Sequence, residues 1–312
     1  MDRNTKGVLA IFVCALLWST SGLFIKIIDW NPMVIAGSRS LIAASLMLAL
    51  RLGASGRTGP SAGSAWGKIG GKPNRVALIG AALANAATMI LFVIANKLTA
   101  SANVILLQYS APIWAAVLGW WILKEKLRTE HWAALGAVVV GLYLFFKDGL
   151  AQGSFLGDAL ALVSGLTFAA YSVLLRQQKD GRPEDSILLA HLITAAVCLP
   201  FIFIDPPRLE VLPVLSVLAL GIFQIGLASL LFAYGIRRVS AVQAMLTAVA
   251  EPVFNPVWVF IVTRELPGAS AVAGGSVILT AVIASSIVGA RREKAIGKIG
   301  PGPDKQDEVS AD

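Results

Sequence analysis

Charge is what this sequence has least of. Only 14% of its 312 residues are Asp, Glu, Lys or Arg, against 56% hydrophobic, and the mean hydropathy is +0.75. A water-soluble domain of this size needs far more surface charge, so a soluble globular fold is excluded. Cysteine is equally sparse. Cys14 and Cys198 each lie inside an apolar run with no Cys or His at ligand spacing, which argues against a disulfide framework or a metal site. No HExxH motif occurs. The stretch Gly63 to Ile69, GSAWGKI, lacks the four-residue gap and the Ser or Thr after lysine that a phosphate-binding loop requires. The reading is therefore of a protein that is not an enzyme, with no cofactor and no metal; nucleotide-driven pumping would need another subunit.

What the sequence has is long hydrophobic runs. Ten are of spanning length, at roughly 8–28, 32–50, 76–95, 99–123, 131–147, 155–175, 186–204, 211–234, 239–262 and 268–290. About 20 helical residues cross the ~30 Å hydrocarbon core of a bilayer. The predicted fold class is an all-α membrane protein of ten transmembrane helices. The start, Asp2 to Lys6 followed by apolar Gly7 to Ile28, has the charge of a signal sequence. Its apolar part is too long and no A-x-A-like site follows, so it reads as a retained helix. Arg51 to Arg75, rich in Gly, Ser and basic residues, is predicted as a surface loop. Residues 291–312 are polar and are predicted as a disordered cytoplasmic tail.

The net charge of +8 is a topology signal. With the N-terminus inside, 20 of the 26 basic residues fall on inner segments, five on outer ones, and Arg39 within a span. Both termini are then cytoplasmic and the neighbour of the positive charge is anionic lipid rather than nucleic acid.

The halves repeat. A shift of 140 places Pro112 on Pro252, Glu125 on Glu265, Lys124 on Arg264 and Leu106 on Leu246. A shift of 150 places Gly7 on Gly157, Trp18 on Phe168 and Lys26 on Arg176. Five spans in each half is an odd number, so the second half is predicted to enter the membrane upside down. The predicted organisation is 1–150 as the first five-helix repeat, 151–290 as the second, inverted one, and 291–312 as the tail. In transporters built this way the site lies at the repeat interface near the midplane.

These features resemble the drug/metabolite transporter superfamily, and within it the ten-helix EamA type. The residues that carry the resemblance are Ala15-Leu16-Leu17-Trp18-Ser19-Thr20-Ser21 with Lys26, Arg39 after Pro32, and Ala111-Pro112 with Lys124-Glu125. Gly157-Asp158 and Glu251-Pro252 with Glu265 complete the set. One departure is Thr263-Arg264 before Glu265, where the family commonly has glycine. The resemblance implies export or uptake of small metabolites such as amino acids. It also implies a central cavity walled by the first, third, fourth, sixth, eighth and ninth helices, with the fifth and tenth peripheral.

Glu251 leads the candidate residues. A carboxylate in mid-span costs ~2.5–3.5 kcal/mol or more and usually faces a cavity or a partner. At helical spacing it shares a face with Ala244, Ala248, Asn255 and Trp258. It reads as a partner for a substrate amine, as a proton carrier, or as a carboxylate held by a neighbouring helix for packing. His191 is the second candidate for proton coupling, with a packing role as its alternative. Asn85 and Gln108 are candidate cavity residues, or interhelical hydrogen-bond partners. Trp18, Phe168 and Tyr171 occupy repeat-related ground and read as an aromatic pair that sandwiches or gates a solute, or as core. Pro112 and Pro252 read as bends. Arg39, Glu125 and Glu265 read as structural charges, Arg39 through pairing with a carboxylate, with snorkelling or substrate binding as its alternatives.

The combined expectation is a secondary transporter in the cell inner membrane. It acts as an exporter of small metabolites by alternating access around a midplane cavity, as a monomer or weak homodimer, with protons as the candidate coupling ion. An intramembrane enzyme or lipid-handling protein, or a passive facilitator, is the alternative.

Overall fold

The computed structural model describes residues 2–21, 24–25, 28–55, 74–99, 101–125, 129–147, 154–263 and 269–298, and among these all regular structure is helical. Helix α1 (Arg3–Trp18) starts at Asp2, whose carboxylate accepts from the Thr5 amide at 2.8 Å. It is interrupted after Trp18, and Ser21, Phe24 and Ile25, within the first run predicted to reach residue 28, are helical again. The Ser19 and Thr20 hydroxyls turn back onto the carbonyls of Leu16 and Leu17, each at 2.7 Å, and compete with the helical ladder. Helix α2 (Pro32–Ser55) opens on a proline, whose missing N–H is an orphan at that position anyway. Helix α3 (Arg75–Leu98) is capped by Asn74, which accepts from the Ala77 amide at 3.1 Å.

The fourth run is broken into α4 (Ser101–Gln108) and α5 (Ala111–Leu118), followed by a wider π turn at Gly119–Leu123. The ninth is broken in the same way, into α11 (Ala241–Ala248) and α12 (Ala250–Thr263). Between them in the chain lie α6 (Thr129–Phe146), α7 (Phe155–Gln177), α8 (Pro183–Cys198), α9 (Val211–Ala219) and α10 (Ala228–Ile236), and α13 (Ala269–Lys298) ends the described chain. A π stretch, Leu220–Leu227, joins α9 to α10. Helix α13 runs past Arg291 to Lys298, into the segment predicted as a tail. Lys26, most of the loop after Ser55, Glu265 and residues 299–312 lie outside the described residues.

Both breaks have one cause. A proline inside a helix has no N–H to give the carbonyl four residues earlier, and its ring crowds that carbonyl. For Pro112 the carbonyl is that of Gln108; for Pro252 it is that of Ala248. The breaks fall at Tyr109-Ser110 and at Val249, immediately before each proline's helix.

Among the described residues, six helical stretches are long and apolar enough to cross a membrane: Pro32–Gly53, Arg75–Leu98, Val104–Leu123, Phe155–Gln177, Pro183–Phe203 and Val211–Ile236. The two halves do not form separate cores. Helix α3 packs most extensively on α7, α1 on α10, and α2 on α8 and the π stretch before α10. The main core accordingly mixes Ile11, Met47 and Ala115 from the first half with Phe168, Ile187 and Phe232 from the second. Helices α6 and α13 pair with one another around Leu135, Val138 and Ile278.

Polar contacts between helix ends are selective. Arg176 meets Glu125 at 3.2 Å, Arg237 meets Glu184 at 2.6 Å and Arg51 meets Asp185 at 3.0 Å. At other ends, the Thr99 hydroxyl donates to Asp158 at 2.8 Å and the Trp30 indole donates to the Arg208 carbonyl at 2.9 Å. Ends predicted as inner meet inner ones, and outer meet outer.

Gly165 of α7 lies against the first break. A Cβ there would fall 2.7 Å from the Gln108 carbonyl oxygen and 2.9 Å from Ser110 Oγ. Gly165→Val therefore lowers the melting temperature of the protein in detergent, at a cost of roughly 1–3 kcal/mol. Gly119 has open space around it. Gly119→Ala is expected to hold or raise the melting temperature, and equal losses in the two variants would refute this account of the close approach.

Candidate functional site

The two broken helices pack against one another, α5 on α11, and one side chain links their breaks. Tyr109, in the break between α4 and α5, places its hydroxyl 2.5 Å from Glu251 Oε2 and 3.0 Å from the Ala248 carbonyl oxygen. The Ala248 carbonyl is the one that Pro252 leaves without an amide. A residue in the break of one half thus completes the backbone at the break of the other. The hydroxyl carries one hydrogen and faces two acceptors. A charged Glu251 must share that hydrogen with Ala248, whereas a protonated Glu251 donates to the phenol oxygen and frees it for the carbonyl.

Glu251 also lines a cavity of about 80 Å³, enough for several waters. Trp18 and Ser21 line it from the first run, Arg39 from α2, and Asn85, Thr88, Met89 and Phe92 from α3. Gln108 of α4, Phe168 and Tyr171 of α7, and Glu251 of α12 add to the wall. Gln224 and Ile225, in the π stretch, and Ser229 of α10 complete it. Both halves contribute, and neither α6 nor α13 does.

The floor is a hydrogen-bonded chain across three helices. Gln108 Nε2 donates to Ser164 Oγ at 2.9 Å, and the Thr88 hydroxyl lies 2.8 Å from that of Thr167. Contacts of this kind contribute ~0.6 kcal/mol each on average in membrane bundles. One wall is aromatic. The Trp18 and Phe168 rings meet edge to face with centroids 5.5 Å apart, and Phe232 stacks on Tyr171 at 5.7 Å. Of the readings offered for Trp18, Phe168 and Tyr171, a sandwich, a gate or core, the ring contacts here are those of a packed aromatic cluster. The rings touch, no third ring fits between them, and they present one continuous apolar surface.

Several sequence candidates sit elsewhere. Trp258 does not line the cavity; its indole donates to Ser19 Oγ at 2.7 Å, tying α12 to the end of α1. His191 is fully buried outside the cavity wall, with Nε2 3.4 Å from Ser229 Oγ. The side chain of Asn255 and all of Glu265 lie outside the described residues. Glu125 is held by Arg176 and also accepts from the Ala241 amide at 3.3 Å, at the start of α11.

Arg39 departs furthest from expectation. Its predicted carboxylate partner is not found among the described residues, whose ion pairs involve other groups. The side chain is 3% exposed, its Nε has no hydrogen-bond partner, and it lines the cavity. Thr88, Ser21 and Ser229 were also missed by the sequence reading. Small hydroxyls are common in membrane helices, and nothing in their spacing separates a cavity wall from a helix contact.

A larger recess of about 950 Å³ lies outside, between α5 and α6, lined by Ile113, Trp120, Trp132 and Val139 among other apolar residues. It has no charged group to orient a solute, and its setting is that of a lipid-facing surface.

Comparison with known proteins agrees with this architecture. Residues 5–147 and 155–287 each match the EamA-like transporter family, so the family unit occurs twice and accounts for most of the chain. The chain belongs to the EamA-like transporter family, a class of membrane transporter. An uncharacterized transporter of Bacillus subtilis strain 168, YwfM, is 30% identical over 151 residues, which is 46% of this chain and half the length of that protein. An uncharacterized transporter of Archaeoglobus fulgidus is 27% identical over 214 residues, 68% of this chain and 77% of that one. A crystal structure of a protein 21% identical superposes with a TM-score of 0.75, covering 93% of this chain and 99% of that one, and shows the same fold.

The Tyr109 hydroxyl serves a carboxyl group and a backbone carbonyl at once, so Tyr109→Phe leaves both short of a donor. The expected loss is ~1–3 kcal/mol. In a double-mutant cycle with Glu251→Gln, read by denaturation in detergent, a coupling of at least ~0.5 kcal/mol is expected. Strict additivity of the two losses would show that the contact carries no energy.

Proposed function

We propose that this protein is a secondary transporter of the cell inner membrane. It exports small amphipathic metabolites, amino acids first, by alternating access of two inverted five-helix halves around the central cavity. The observation that carries the reading is that cavity: polar groups of both signs and an aromatic wall, drawn from both halves and placed at their interface.

Its size supports alternating access. At about 80 Å³ it holds water but falls below the ~300–1,000 Å³ typical of pockets for organic ligands. An organic solute fits only when helices of the two halves part. The selectivity of the end contacts supports the inverted arrangement. Thr99 closes the third run and Asp158 opens the sixth, and their hydrogen bond puts both ends on one side. Arg176, at the far end of α7, pairs with Glu125, at the far end of the fourth run. The ends rich in basic residues, taken as cytoplasmic, gather at the second side.

Glu251 is the residue assigned to coupling, as partner of a substrate amine or as proton carrier. It is the one carboxyl group that lines the cavity among the described residues. His191 stands behind the wall, which leaves it a secondary candidate. An intramembrane enzyme would draw Glu251, Arg39 and His191 into one closed pocket, and the position of His191 outside the wall favours transport.

The test is export from cells that accumulate amino acids from supplied dipeptides. Overexpression of the wild-type chain is expected to raise the external concentration of at least one amino acid several-fold over vector controls. Glu251→Gln is expected to reduce that rate at least tenfold at equal membrane abundance. In proteoliposomes, exchange that ignores an imposed pH gradient would make the protein a passive facilitator. The absence of movement for every amino acid tried would remove that substrate class.

A further inference from the structure

Two residues of the cavity wall each carry a buried polar atom with nothing to bond to. Arg39 Nε is a donor without an acceptor, and Gln224 Oε1 is an acceptor without a donor. Their residues are 3% and 6% exposed, and both line the cavity. They stand on elements in direct contact. Gly221, one turn before Gln224, is where α2 comes closest: a Cβ there would meet Ile42 Cβ at 2.6 Å and the Arg39 carbonyl at 3.0 Å.

We propose that Arg39 and Gln224 form an anion subsite in the cavity, which takes the carboxylate of a transported solute. The proposal rests on the cavity being the transport site. Buried polar groups are nearly always satisfied, and an unpaired guanidinium is the most demanding of them. Its planar fork matches the two oxygens of a carboxylate. Gln224 Oε1 then accepts from an N–H or O–H borne next to that carboxylate. The other charged group in the wall, Glu251, is already engaged by Tyr109. One cation set against one carboxyl group suits a monoanion, whereas a phosphate dianion would remain undercompensated. The aromatic wall of Trp18, Phe168 and Tyr171 faces the same space and receives the apolar part of the solute.

The test reads the charge preference of the cavity without knowing the solute. Ser229, one helical turn beyond Ile225 in the wall, is replaced by cysteine in a chain with Cys14→Ala and Cys198→Ala. Purified protein is treated with an anionic sulfonatoethyl and a cationic trimethylammonioethyl methanethiosulfonate, and the ratio of the two rates is measured. Arg39→Gln is expected to lower the anion-to-cation ratio about tenfold or more, and Arg39→Lys to keep most of it. Sodium propionate is expected to slow the anionic reagent, while propionamide and an equal concentration of sodium chloride do not.

A ratio unchanged in Arg39→Gln overturns the anion subsite and leaves the cavity reading intact. Protection by chloride equal to that by propionate shows a site for small anions at large and overturns the carboxylate assignment. Failure of both reagents to react means that no solute reaches the cavity, which overturns the subsite and the transport reading together.

Discussion

The structure depends on the satisfaction of one backbone carbonyl. Pro252 leaves the buried Ala248 oxygen without a helical amide, and a buried carbonyl without a donor costs ~1–3 kcal/mol. Tyr109 supplies the missing donor from the other half of the chain. The cost of the break is therefore met only when the halves are docked, and docking brings the phenol against Glu251. Helix α11, which ends at the break, is buried at every residue from Ala241 to Ala248. It could not be left this way by a half that folded alone.

The related break in the first half is resolved differently. The carbonyl freed by Pro112, that of Gln108, faces Gly165 of α7, where the absence of a side chain lets the helix approach. The Gln108 side chain meanwhile bonds Ser164, the neighbour of that glycine. Two copies of one sequence feature thus give one site where a backbone comes close and one where a side chain reaches in. Near-symmetry of the halves sets where the helices break. The residues around each break decide what the opening contains, and only the second holds an acid.

Much of this was legible because prolines and charges are rare in apolar runs and each has few structural explanations. Pro112, Pro252, Glu251, Asn85, Gln108 and the aromatic trio were marked by that rarity, and the structure sets Glu251, Asn85, Gln108, Trp18, Phe168 and Tyr171 around one cavity. Helical periodicity was less informative along the axis. It gives the direction of a side chain and not its depth, so Trp258, two turns beyond Glu251 on the same face, was grouped with the cavity. It reaches Ser19 instead. The interruption after α1 was not legible for a related reason. Hydropathy continues to Ile28, but the Ser19 and Thr20 hydroxyls compete with the helix locally. Arg39 was assigned a carboxylate partner by the general cost of a buried charge. That cost is set by surroundings distant in sequence, and α2 brings it to a cavity wall rather than to an acid.

That placement puts a carboxyl group and a guanidinium on the cavity wall in different conditions. Glu251 has its hydrogen-bond partner inside the protein, while the Arg39 guanidinium has an unmet donor in a space large enough for water. Water solvates Arg39 while the cavity is wet, and any motion that dries the space without supplying an acceptor strands the charge. A cavity of this construction resists closing empty. An anion that accompanies the guanidinium lowers that resistance, since it replaces the water that closure expels. Under the proposed alternating access, the charge that appears as a defect of packing in this conformation is what makes movement of the halves depend on the contents of the cavity.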